Sequence, residues 1–245
     1  MKRLITALGV FAGVASAHAT FLIDDFSTAI DEMNTPGGIT LTNVVDVPNG
    51  PDVTFLDNNP TPIPGSIGSR FWTLSEPSGA PGTASNLFVS PTGQLNLNFA
   101  NNPGITASMF SVEYSDFGTS DFTQGGINTA FAVLVTFLDD PINDIDLTVS
   151  VESIGGATSS ATQSFVGFVL PTNPLPVQIS FADLIGTADL TSVTSVTLSV
   201  SANSVLAPDL ALDAFSVVPE PGAYATIAGV LALGIALLRR RLCTC

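Results

Sequence analysis

The sequence predicts an all-β fold, an antiparallel β-sandwich, and two observations predict it. Apolar residues recur at every second position through many short stretches, the period of strands with one buried face and not the 3.6-residue period of a helix. Clusters of Pro, Gly, Asn and Asp separate these stretches at intervals of roughly ten residues, which is the punctuation of tight turns in sandwich folds.

The N-terminus reads as a signal peptide over residues 1–19. Met1-Lys2-Arg3 is a positive n-region, Leu4 to Val14 is apolar and too short to span a bilayer, and Ala15-Ser16-Ala17-His18-Ala19 offers small residues for cleavage after Ala19. Residues 20–217 then form one exported domain, with enough chain for a substantial core.

Between Thr20 and Val218 there is one basic residue, Arg70, against twenty acidic ones, a formal charge of −19. Such a surface repels nucleic acid and anionic lipid, and it repels acidic polysaccharide unless divalent cations bridge the two. The single histidine, His18, lies in the signal peptide, and both cysteines, Cys243 and Cys245, lie at the C-terminal end. A Ser-His-Asp triad, a Cys-His dyad, a His- or Cys-ligated zinc site and a disulfide are therefore excluded from the domain.

Along the domain, Leu95, Leu97 and Phe99 alternate with polar residues, as do Ile145, Leu147, Val149 and Val151, and then Val196, Leu198 and Val200. These are half-buried strands. Phe131 to Leu138 is apolar at nearly every position, as expected of a central strand covered on both faces. Asn58-Asn59-Pro60, Pro81-Gly82, Asn101 to Gly104 and Gly155-Gly156 read as turns, and the Gly- and Pro-rich stretch from Pro48 to Gly68 as a loop-rich insertion. Outward strand positions carry Ser and Thr where many proteins place Lys and Glu.

Pro219-Glu220-Pro221 opens a tail over residues 218–245. Its two prolines fix an extended entry, and the sixteen uncharged residues from Ala223 to Leu238 reach ~24 Å as a helix, a short transmembrane span. Arg239, Arg240 and Arg241 hold that end in the cytoplasm and leave the domain outside. This order of Pro-Glu-Pro, short apolar helix and arginine cluster resembles the PEP-CTERM sorting tail of Gram-negative bacteria. The resemblance covers Val218 to about Leu242. It implies processing by exosortase, a membrane-embedded cysteine protease-transpeptidase, after export through Sec-type machinery, with a destination at the cell surface or in an extracellular matrix linked to exopolysaccharide and biofilm.

A second resemblance concerns the domain. Phe21 to Ser27 and Leu210 to Val217 share an apolar-Asp-x-Phe-Ser pattern. Pairing of such terminal strands is similar to the jelly rolls of carbohydrate-binding modules, and it implies a structural calcium nearby.

Three groups of residues are candidates for chemistry. Asp139, Asp140, Asn143, Asp144 and Asp146 crowd a turn and offer oxygen ligands for calcium, although Asp and Asn also serve simply as turn formers. Asp24 and Asp25 would join Asp213 as calcium ligands if the terminal strands pair. Trp72, which follows Arg70-Phe71, and Tyr114 are candidates for stacking on a sugar ring, with burial in the core as the alternative. Glu32, Glu76, Glu113 and Glu152 supply carboxylates for a glycosidase, yet no strand gathers them into a pair. The expectation is a non-catalytic structural or adhesive protein that binds carbohydrate or calcium, with a secreted carbohydrate-active enzyme as the alternative.

Overall fold

The computed structural model describes residues 21–219 other than 33, 37, 46–50, 59–61, 76, 91–95, 139–143, 166–174 and 204–208. The signal peptide, Glu220 and Pro221, the apolar segment 223–238, the arginine cluster and most of the acidic turn at 139–143 thus lie outside the described residues. Among the described residues no helix is long and apolar enough to cross a membrane.

The chain begins with β1 (Phe21–Asp24), β2 (Leu41–Val44), β3 (Val53–Asp57) and β4 (Ser69–Leu74). It continues through the short β5 (Ser78–Gly79), β6 (Ala84–Val89), β7 (Leu97–Asn101) and the long β8 (Ile105–Ser115). The second half holds β9 (Ala130–Leu138), β10 (Asp144–Ser153), β11 (Thr158–Phe165), β12 (Leu175–Ser180), β13 (Ile185–Gly186), β14 (Val193–Asn203) and β15 (Leu210–Val218).

These strands form two antiparallel sheets. The first runs β12-β9-β15-β7-β6-β2, with β1 beside β15; the second runs β13-β11-β10-β14-β8-β4-β3, with β5 on β8. Alternation decides which side chains meet between them. Ile145, Leu147, Val149 and Val151 from β10 and Val196, Leu198 and Val200 from β14 are buried there, and so are Leu97 and Phe99 of β7. Aromatic rings fill one end, where Phe131 packs against Phe122, Phe181 and Phe215 at centroid distances of 6.1, 5.0 and 5.9 Å.

The terminal strands pair, with Phe21 opposite Val217, Leu22 opposite Ser216 and Asp24 opposite Phe215. β9 is an interior strand between β12 and β15. On its outward side Ala132 is buried, whereas Phe137 is 47% exposed, so the expected cover over both faces is incomplete. Gly155 and Gly156 turn β10 into β11 with φ of +91° and +79°, a left-handed region that glycine adopts without steric cost.

One expectation needs correction. The stretch from Pro48 to Gly68 is not only loop, because Val53–Asp57 pairs with β4 as the edge strand β3. Prolines on both sides hide a strand of five residues, and an edge position tolerates such neighbours because only one of its flanks must hydrogen-bond.

Candidate functional site

Two places on the sandwich collect unusual chemistry: the outer face of the second sheet and a buried corner beneath it. The outer face follows from strand register. Thr162, Thr148, Ser199, Ser111, Thr73 and Thr54 lie opposite one another in turn across β11, β10, β14, β8, β4 and β3. The adjacent row reads Ser160, Ser150, Thr197, Glu113, Phe71 and Leu56. Hydroxyls therefore stand about 4.8 Å apart from strand to strand, and Thr148 and Thr162 bond to each other at 2.8 Å. The second row ends in an apolar step, with Phe71 37% and Leu56 49% exposed.

Of the two alternatives for Trp72 and Tyr114, the structure shows burial in the core. Both are fully buried. In β4 the residues alternate, so Arg70, Trp72 and Leu74 face the core while Phe71 and Thr73 face out. Tyr114, directly opposite Arg70, shares its inward side. A ring closed inside the sandwich cannot stack on a ligand from solvent. In β4 the aromatic residue that reaches the surface is Phe71, between Arg70 and Trp72, and the signal for it is the period-two rule applied to Arg70-Phe71-Trp72.

Beneath this edge lies the buried corner. Arg70, the lone basic residue of the domain, is completely buried. Its Nε and Nη2 donate to Asp57 Oδ2 at 3.2 and 2.6 Å, its Nη1 to the Thr28 carbonyl at 3.0 Å and its Nη2 to the Ala29 carbonyl at 3.3 Å. Asp24 Oδ2 faces Nη1 at 3.5 Å, and the guanidinium carbon sits 5.3 Å from the Trp72 ring centroid. Asp24 Oδ1 accepts from the Phe26 amide at 2.8 Å, holding Phe26 at φ +48°. That left-handed turn costs an L-residue about 1–2 kcal/mol, and the two carbonyls that face Arg70, of Thr28 and Ala29, come after one further residue, Ser27.

Burial raises the Asp24 carboxyl from 3.8 to about 6, with the negative charge of Asp25 adding to the shift; the Arg70 charge, the Phe26 amide and the Tyr114 phenol oppose it. The phenol lies against this carboxylate without a hydrogen bond of ordinary geometry. Burial and the Asp24 charge push the Tyr114 hydroxyl well above its usual range.

The three aspartates expected to meet at the paired termini divide their tasks. Asp24 turns inward to Arg70. Asp25 Oδ1 accepts from the Ser27 amide at 2.9 Å and lies near enough to Asp213 to help burial raise its pKa. No group of three or more His, Cys, Asp or Glu that could hold a metal ion forms among the described residues. In the acidic turn, Asp139, Asp140 and Asn143 lie outside the described residues, Asp144 begins β10, and Asp146 accepts a hydrogen bond from Ser164 on the outer face.

Of the glutamates, Glu32 closes a local turn by accepting from the Ala29 amide at 2.9 Å, and Glu76 lies outside the described residues. Glu113 and Glu152 share the outer face but occupy different rows, on β8 and β10, with β14 between them.

No family model and no curated protein matches the chain. Among solved structures it is similar to the family 11 carbohydrate-binding module from Clostridium thermocellum, at 11% identity over 73% of this chain and 95% of that one, TM-score 0.33. It is similar also to the agarase AgWH50C, at 12% identity over 61% of this chain and 22% of that one, TM-score 0.38. A third is the xylanase 10B of Clostridium thermocellum, solved as its CBM22-1 and GH10 modules, at 15% identity over 83% of this chain and 29% of that one, TM-score 0.36. The chain spans about a fifth of the agarase's length. At such TM-scores these likenesses bear on neither fold nor function.

Proposed function

We propose that this is an exported, non-catalytic β-sandwich protein with a structural or adhesive role in an exopolysaccharide layer, and that it holds neutral polysaccharide on the outer face of its second sheet. The observation that carries this reading is the pair of adjacent rows on that face, one of hydroxyls throughout and the other of hydroxyls and Glu113 that ends in exposed Phe71 and Leu56. A pyranose ring has an apolar C–H face and a rim of hydroxyls. Phe71 and Leu56 meet the first, and Ser and Thr, each both donor and acceptor, meet the second. The charge of −19 disfavours uronate-rich polymers, so neutral glycans are the better fit of the two.

Glu113 and Glu152 stand on the same outer face, on strands separated by β14. The alternative is a secreted glycosidase, which would release reducing sugar and lose that activity on single replacement of one of these carboxylates.

Phe71→Ala should weaken binding to an insoluble neutral glucan about tenfold, the loss of roughly 1.4 kcal/mol of contact, with the melting temperature nearly unchanged. Affinity electrophoresis in gels containing the glucan measures it. Unaltered retardation of the variant would remove the outer face as the binding surface.

Delivery rests on the two ends of the chain. The signal peptide directs Sec-type export, the apolar tail parks the precursor in the inner membrane with Arg239, Arg240 and Arg241 inside, and exosortase acts at Pro219, Glu220 and Pro221. Replacing those three residues by alanines should leave the protein in the membrane fraction at its precursor mass. Normal release of the variant would mark the tail as an ordinary anchor.

A further inference from the structure

We propose that the buried oxygen cage of Asp24, Asp57 and the Thr28 and Ala29 carbonyls is a guanidinium-binding site, which the chain fills with its own Arg70. The four groups come from three separate segments: β1, the turn that follows it, and β3. Nothing local to any one segment requires them to converge. They converge on one point, and that point is a cation in a domain whose sequence contains no other.

The cage is shaped for this cation rather than for a metal. A calcium ion takes six to eight oxygens and arrives strongly hydrated. Here four oxygen-bearing groups meet a wall formed by the Trp72 ring, 5.3 Å from the guanidinium carbon. An aromatic face suits a planar, weakly hydrated cation and offers a metal ion no ligand. The in-plane N–H groups of Arg70 reach Asp57 and the two carbonyls, while Asp24 Oδ2, buried and without a hydrogen bond, supplies the remaining negative charge.

Shortening Arg70 should leave the cage able to accept a free guanidinium compound. Arg70→Ala, made in the full-length chain, is expected to lower the melting temperature by roughly 10 °C, the scale of a broken buried ion pair in a domain of this size. Millimolar methylguanidinium, far below denaturing concentration, should restore several degrees by binding the folded state. Wild type under the same conditions should not shift, and calcium at equal ionic strength should restore nothing in the variant.

The proposal is overturned if methylguanidinium fails to raise the variant's melting temperature, if it raises wild type equally, or if calcium raises the variant more. Should Arg70→Ala not fold by itself, its refolding yield from urea reads the same property. A several-fold higher yield with methylguanidinium than with sodium supports the cage, and equal yields reject it.

Discussion

Trp72→Ala is expected to destabilise the sandwich by roughly 3–5 kcal/mol, the range for deleting a large, fully buried aromatic residue. The cost has two parts. The removed ring leaves a cavity between Phe55 and Val112, its cross-strand neighbours, and Arg70 loses the aromatic face beside its guanidinium. Equilibrium urea unfolding followed by circular dichroism measures the change. If Trp72 were instead a sugar platform at the surface, the variant would keep its stability and lose binding. Because Trp72 is the sole tryptophan, wild-type fluorescence gives an independent check: emission should be that of a buried indole, should shift to the red on unfolding, and should stay unquenched when glucan is added.

Asp24→Asn is expected to flatten the pH dependence of stability between about pH 4 and pH 7. The sign follows from the raised carboxyl, from 3.8 to about 6. Below pH 4 the group is protonated whether the chain is folded or not. As pH rises, the unfolded chain releases this proton first, and the folded state loses stability until its own carboxyl has ionised. The total is on the order of 3 kcal/mol, and it is lost as pH passes through 6. Asp213, also raised, acts in the same direction. Asp121 and Asp189, lowered chiefly by hydrogen bonds from Thr123 and Thr191, act oppositely and at lower pH. Unfolding free energies at successive pH values would show wild type weakening from acid to neutral more steeply than Asp24→Asn. Equal slopes in the two proteins would sink the assignment.

Much of the fold is legible in the sequence because one face of each strand is apolar. Ile145 to Val151 and Val196 to Val200 announce β10 and β14 by alternation alone, and the shared Asp-x-Phe-Ser pattern of Phe21 to Ser27 and Leu210 to Val217 points to the pairing of terminal strands. β3 escapes notice because five residues between prolines are too short for a period to stand out. The buried corner is less legible still. Asp24, Asp57 and Arg70 look like solvated charges in a linear reading, and only their meeting across three segments makes burial tolerable. Phe71 and Trp72 are adjacent aromatic residues whose roles differ by the direction of one side chain. That direction is set by which of two neighbouring residues the sheet turns toward its partner, and composition is silent on it.

The placement of β15 has a mechanical consequence. This strand is hydrogen-bonded along its length to β9, through eight matched residues from Leu210 to Val218, and on its other side to β7 and then β1. A tether pulling at Val218 would load these ladders lengthwise and on both flanks together, in shear, so that the bonds must fail as a group. A strand held at the margin of a sheet would peel away one bond at a time. A load applied through β15 would thus be shared by three neighbouring strands at once.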